Sequence, residues 1–156
     1  DLLDTESNEF ILKKKLAPIK NHYDYIFIDC PPSLGVLTLN SLVAADTVLI
    51  PLQCEYYALE GLSQLLQIIS MVQESLNKSL DIEGVVLTMY DSRTKLSQHV
   101  VNDVKEHFKD KVFKTIIPRN VKLSEAPSFG KPIGLYDRIC PGSEAYEHLA
   151  NEVLAK

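Results

Sequence analysis

The residues of this chain best suited to chemistry lie in one run, Tyr23-Asp24-Tyr25-Ile26-Phe27-Ile28-Asp29-Cys30-Pro31-Pro32-Ser33-Leu34-Gly35. Residues 24–29 read as a buried strand that delivers the carboxylate of Asp29 to its end. An acid at that position holds a magnesium ion or its waters in nucleotide-hydrolysing α/β proteins. It also opens ordinary turns. The two prolines stiffen the chain after Asp29, and Gly35 permits a sharp change of direction. A stiff loop hinged beside an acid suits a segment that senses a phosphate.

A second group closes a later apolar run, Ile117-Pro118-Arg119-Asn120. A proline and an amide at a strand's carboxyl end can frame a flat heterocycle by hydrogen bonds, or can form a plain turn. Gln53-Cys54-Glu55-Tyr56-Tyr57 follows another apolar run as a strand-to-helix loop. Cys30, Cys54 and Cys140 are widely spaced, with no CxxC pair and no metal-ligand spacing. Cys30 has no base spaced locally to activate it, which makes it a small packed residue rather than a nucleophile. His22, His99, His107 and His148 are equally scattered and show neither a hydrolase order nor a metal signature.

The elements that must position these groups follow from periodicity. Residues 24–29, 46–52, 82–89 and 112–117 are short, rich in β-branched residues and bounded by Pro, Asp or Gly, so four strands are expected. Their continuous apolarity predicts burial on both faces, as in a parallel sheet. Leu62, Leu65, Leu66, Ile69, Val72 and Leu76 recur at helical spacing and predict a helix over 57–76. Further helices are expected over 6–20, 36–45, 95–108 and 143–155, the last with Ser143 as its N-cap. This alternation predicts an α/β layered fold with right-handed crossovers.

Composition agrees with one globular domain. Of 156 residues, 46% are hydrophobic, with 6 Gly and 8 Pro. No apolar run approaches the roughly 20 residues that cross a bilayer, and scattered cysteines of odd number suggest a reducing, cytoplasmic setting. The net charge of -5 is unevenly spread. Residues 1–91 carry 5 basic against 13 acidic residues, whereas 92–131 carry 9 against 4. Such a basic stretch is either a solvated surface or the contact for a polyanion.

Three blocks carry a family resemblance. YDYIFIDCPPSLGVLTLNSLVAADTVLIPLQCEYYALEGL, TMYDSRTKLSQHVVNDV and TIIPRNVKLSEAPSFGKPIGLYD stand in the order and spacing seen in the ParA/Soj family of chromosome- and plasmid-partitioning ATPases. The chain resembles that family along its whole length. These are deviant Walker-A P-loop proteins, as are MinD and the nitrogenase iron protein. The resemblance implies a three-layer P-loop NTPase-like fold with a mostly parallel sheet, and ATP or ADP with magnesium as ligands. It places Asp29 at the magnesium, through water, and makes Cys30, Pro31, Pro32, Ser33 and Gly35 the switch loop. It sets Met89, Tyr90, Pro118, Arg119 and Asn120 on the nucleotide-base side. It assigns Arg93 and Lys122 to DNA binding without sequence preference; Lys122 stands where many relatives carry Arg, a change that keeps charge but loses the planar fork. Implied partners are non-specific DNA, a ParB-type centromere-binding protein and a second copy in an ATP-dependent homodimer, in the cytoplasm and on the nucleoid, with no membrane.

The family's KGGxGKT loop and DxDPQ segment do not occur in this sequence. The chain is therefore expected to be the C-terminal part of a single ParA-type ATPase domain, over 1–156, with the N-terminal portion of the fold missing. By itself it is expected to be inactive, with no catalytic residue of its own. Two other readings compete. A MinD-like regulator would want a basic amphipathic C-terminal helix, and the tail here is acidic. A non-enzymatic α/β interaction module would use the scaffold for protein contact alone.

Overall fold

Three of the four apolar runs become strands in the computed structural model, which describes residues 8–31 and 35–155. In chain order the elements are α1 (Ile11–Leu16), α2 (Val36–Ala44), β1 (Thr47–Gln53), α3 (Ala58–Ser75), β2 (Asp81–Tyr90), α4 (Lys95–Phe108), β3 (Val112–Pro118), α5 (Val121–Glu125), α6 (Ile133–Tyr136) and α7 (Pro141–Leu154). The strands form a sheet in the order β1-β2-β3. The chain divides into two units, 1–48 with 62–82 and 49–61 with 83–156.

In the first unit two buried asparagines hold helix ends. Asn77 lies just beyond α3 and is 4% exposed. Its side-chain amide donates to the carbonyls of Leu42, Val43 and Ala45 at 3.1, 3.3 and 2.8 Å. Those carbonyls terminate α2, where no further turn of helix can satisfy them. The Asn77 Oδ1 in turn accepts from the Ser79 hydroxyl at 2.9 Å. Asn40 plays the matching part near the start of α2. Its amide donates to the carbonyls of Asn8 and Val36, and its Oδ1 accepts the Leu12 N–H of α1. The α3 face that packs inward carries Leu62, Ile69 and Val72, three of the apolar positions its periodicity marks.

The second unit holds the sheet. Val86, Phe113, Ile117 and Ala145 form its core, with Leu49, Leu123, Leu149 and Val153 packed around them. A fully buried valine, isoleucine or phenylalanine of this kind contributes on the order of 1.5–3 kcal/mol. β2 and β3 run parallel, with Val85 opposite Val112, Leu87 opposite Ile116 and Tyr90 opposite Pro118. The register shifts between each of these pairs. The first shift puts additional residues on β3, around Lys114 and Thr115. Their two N–H groups donate to the two carboxylate oxygens of Glu152, from α7, at 2.7 and 2.9 Å. Burial works against the charge of Glu152, yet hydrogen bonds from Thr115 and from the Lys114 and Thr115 backbone outweigh it and hold this carboxyl below its usual range. Close approach is built in at two glycines. A Cβ on Gly84 would stand 2.6 Å from the Lys111 carbonyl and 2.7 Å from the Phe113 ring, and one on Gly142 would stand 2.6 Å from Leu123.

Several expectations need correction. Residues 24–29 form no strand, and Tyr25 and Phe27 are exposed rather than buried. An apolar run needs strand neighbours to satisfy its backbone, and the sheet of the described residues offers it none. The Tyr25 and Phe27 rings stack on each other instead, 6.2 Å apart. The helix expected over 6–20 is regular only over Ile11–Leu16, with a 3-10 turn before it at Asn8–Phe10 and another after it at Lys20–His22; residues 6 and 7 lie outside the described ones. The last helix begins with Pro141, and its N-cap is Cys140, whose Sγ accepts the Ser143 N–H at 3.4 Å. Proline suits that first helical position, since its missing N–H would have no partner there. The short helices α5 and α6 lack any long periodic signal and were not anticipated.

Replacing Asn77 by Ala strands three carbonyls at once. The expected loss is on the order of 2–3 kcal/mol of unfolding free energy in chemical denaturation. A variant as stable as the parent would show that water takes over the amide's role.

Candidate functional site

Three strands end at one level, and their carboxyl ends supply the charged and polar groups of a site. β1 leads into Cys54 and Glu55, β2 into Asp91, and β3 into Arg119 and Asn120. Backbone bonds tie the three exits together. The Cys54 N–H donates to the Thr88 carbonyl and the Arg119 N–H to the Tyr90 carbonyl, both at 2.9 Å. The Ser97 hydroxyl, in the first turn of α4, donates to the Cys54 carbonyl at 3.3 Å. Burial pushes the Cys54 thiol up to about 11, so it stays neutral and serves packing.

Met89 sits within the second register shift with φ of 54°, a left-handed conformation that an L-residue with a Cβ rarely takes. Such a residue costs about 1–3 kcal/mol and persists only where its surroundings hold it. Here it inserts one extra residue into β2, and Tyr90 consequently comes level with Pro118. Met89, Tyr90, Pro118, Arg119 and Asn120 are thereby brought to one edge of the sheet. Asn120 caps α5, its Oδ1 accepting the Lys122 N–H at 2.9 Å. That bond orients the amide, and its NH2 has no partner among the described residues. Arg119 does not stand free: its guanidinium pairs with Glu55.

The two cations assigned to DNA are also paired. Arg93 Nε donates to Asp91 Oδ1 at 2.9 Å and Nη2 to Oδ2 at 2.7 Å. The Arg93 N–H donates to the same Oδ1 at 3.0 Å. Hydrogen bonds from the Arg93 side chain and backbone, with the nearby Arg119 charge, lower the Asp91 carboxyl to about 2. Lys122 Nζ donates to Glu125 at 2.9 Å and lies 5.8 Å from the centre of the Tyr136 ring. The Tyr136 hydroxyl donates to the same Glu125 oxygen. The hydrogen bond that Lys122 donates to Glu125 raises the ammonium above its ordinary value and, with the one from the Tyr136 hydroxyl, lowers the Glu125 carboxyl. The acids of these pairs were missed from sequence. The spacings Asp91-Ser92-Arg93 and Lys122-Leu123-Ser124-Glu125 were the available signal.

Asp29 and its loop lie in the first unit. Asp29, Cys30 and Pro31 are exposed, so Cys30 is not the packed residue expected from sequence, and Gly35 precedes the first turn of α2 as its N-cap residue. The Cys30 thiol contacts the Ile28 carbonyl at 3.7 Å. Pro32 and Ser33 lie outside the described residues. Among the described residues no three His, Cys, Asp or Glu side chains converge as a metal site. No helix of the described residues is long and apolar enough to cross a membrane.

The family described as AAA domain matches residues 1–82. The chain is 60% identical over 156 residues to the chromosome-partitioning ATPase Soj of Treponema pallidum, covering 100% of this chain and 62% of that protein. It is 61% identical over 155 residues to the sporulation initiation inhibitor protein Soj of Bacillus subtilis, covering 99% and 61% respectively. Among solved structures, cobyrinic acid a,c-diamide synthase of Mycobacterium smegmatis with bound ADP and magnesium superposes with a TM-score of 0.78 and 39% identity, covering 98% of this chain and 55% of that one. The chain thus spans about three fifths of the curated relatives it matches. It belongs to the ParA/Soj family of AAA-domain proteins, and its fold is the α/β, parallel-sheet architecture of P-loop NTPases.

The Asp91 pair makes a pH prediction. The folded carboxyl lies below its ordinary 3.8, so the pair's support is present above that value and fades as pH falls towards about 2. A carbon-detected NMR titration should place the Asp91 midpoint near 2, and Arg93→Ala should raise it towards its ordinary 3.8, short of it because the N–H of residue 93 and the Arg119 charge remain. An unmoved midpoint would mean that Arg93 is not its cause.

Proposed function

We propose that this chain is part of a ParA-type ATPase that segregates chromosomal or plasmid DNA. The observation that carries this reading is identity of 60% along the whole chain to a chromosome-partitioning ATPase. The carboxyl edge of the sheet, with its convergent strand exits, supports it, because that edge is where open α/β sheets take ligands. On this reading 1–156 is the C-terminal part of one ATPase domain. ATP with magnesium closes a homodimer that binds DNA without sequence preference, and a ParB-type protein stimulates hydrolysis and releases it, in the cytoplasm and on the nucleoid. A difference in DNA affinity between nucleotide states then moves cargo.

Each residue has a physical task in that scheme. Asp29 holds a magnesium-bound water, and Cys30, Pro31, Pro32, Ser33 and Gly35 change course with the state of the γ-phosphate. Met89, Tyr90, Pro118 and Arg119 flank the base. The unpartnered NH2 of Asn120 donates to a ring nitrogen of the adenine. The chain's contribution to catalysis is positioning and charge neutralisation around the phosphoryl group. Arg93 and Lys122 meet DNA phosphates.

Two measurements test this in the complete gene product. Asp29→Ala should lower magnesium-dependent ATP hydrolysis roughly 10- to 100-fold, with circular dichroism unchanged. Full activity would return Asp29 to a turn residue. Arg93→Glu and Lys122→Glu should each weaken ATP-dependent DNA binding and flatten its salt dependence, with ATP binding retained. An unaltered salt slope would move the DNA face elsewhere.

A further inference from the structure

Both cations of the expected DNA face are already engaged by carboxylates of their own unit. Arg93 spends its Nε–H and one Nη2–H on the two oxygens of Asp91, the planar fork-to-fork geometry by which guanidinium also grips phosphate. The acid is the fixed member of this pair. The Asp91 side chain is 16% exposed, against 84% for Arg93. Asp91 Oδ1 is further pinned by the Arg93 N–H, and its carbonyl accepts both the N–H and the hydroxyl of Thr94, the N-cap of α4. Lys122 is held the same way. Glu125 sits three residues on in α5 and is fixed by the Tyr136 hydroxyl from α6. Arg119, a third cation of this unit, is paired with Glu55.

We propose that Asp91 and Glu125 are internal counter-ions that stand in for DNA phosphate, so that DNA binds by displacing them. This rests on the DNA-binding reading given above and adds its regulation. A free surface arginine that meets DNA neutralises one phosphate and releases a condensed cation. An arginine that must leave a carboxylate uncovers a negative charge beside the polyanion. Each contact then adds little affinity, and its salt dependence is reduced. The consequence is a weak grip per protomer. Two protomers joined in a dimer hold DNA by their summed contacts and let go when separated. The pairs thus set the affinity low enough for a nucleotide-driven change of assembly to control it.

The test uses the complete gene product with ATP and magnesium, and a labelled mixed-sequence DNA duplex read by fluorescence anisotropy across a salt series. Asp91→Asn keeps the Oδ1 acceptor for the Arg93 N–H while removing the charge. It should tighten binding about three- to tenfold at low salt and steepen the log–log salt slope by roughly one. Glu125→Gln, in a separate segment, should do the same, so the inference stays testable if one variant folds poorly. Arg93→Glu is measured alongside. If Arg93→Glu loses binding while Asp91→Asn and Glu125→Gln gain nothing or weaken, the counter-ion role is wrong and the DNA reading stands. If the parent binds no DNA, or Arg93→Glu binds as the parent does, the DNA reading falls and takes this inference with it.

Discussion

The register between β2 and β3 is the constraint on which the second unit depends. Two hydrogen-bonded parallel strands advance together, so an extra residue on one must be absorbed or answered. Here β3 takes extra residues first, around Lys114 and Thr115, and β2 answers later at Met89. The first irregularity frees two N–H groups, which a glutamate from α7 collects. The second places a non-glycine residue in left-handed backbone. Together they bring Tyr90 opposite Pro118, and so bring Asp91 and Arg119 to one level. Straight strands would carry the same side chains to a different height, and the Arg119 N–H would miss the Tyr90 carbonyl.

Irregular backbone recurs in this chain, and in each case a side chain from another element supplies the missing partner. Glu152 serves β3, Asn77 serves the end of α2, Asn40 joins α2 to the segment before it, and Ser97 reaches the Cys54 carbonyl. Every buried side-chain polar atom of the described residues finds a partner. Such interactions add little net energy when made and cost much when half broken. They therefore act on uniqueness more than on gross stability, which the apolar core supplies.

Much of this was legible from residue patterns. The strands at β1, β2 and β3 and the helices at α2, α3 and α4 fall where periodicity and boundaries put them, because those segments bury one face or two and carry the signal of doing so. The run at 24–29 carried the same signal and forms no strand. Apolarity reports what a segment would bury, not whether neighbours are present to cover it. The strand-end placement of Met89, Tyr90, Pro118, Arg119 and Asn120 was legible from the apolar runs that they close. Their acids were not, since Glu55 meets Arg119 across 64 positions of chain. Cys140 was overlooked as an N-cap because thiols accept hydrogen bonds weakly, yet Pro141 beside it marked the start.

The Asn77 amide has a consequence for motion. The end of α2 and the stretch that follows α3 share one set of hydrogen bonds through this side chain. Neither helix can fray from that end without the other losing its partner. Their last turns should open as one event rather than two, with a common opening energy in hydrogen exchange. Asn40, tying α1 to α2, extends the same coupling towards the beginning of the chain. A polar side chain buried for bonding thus decides which parts of the unit breathe together.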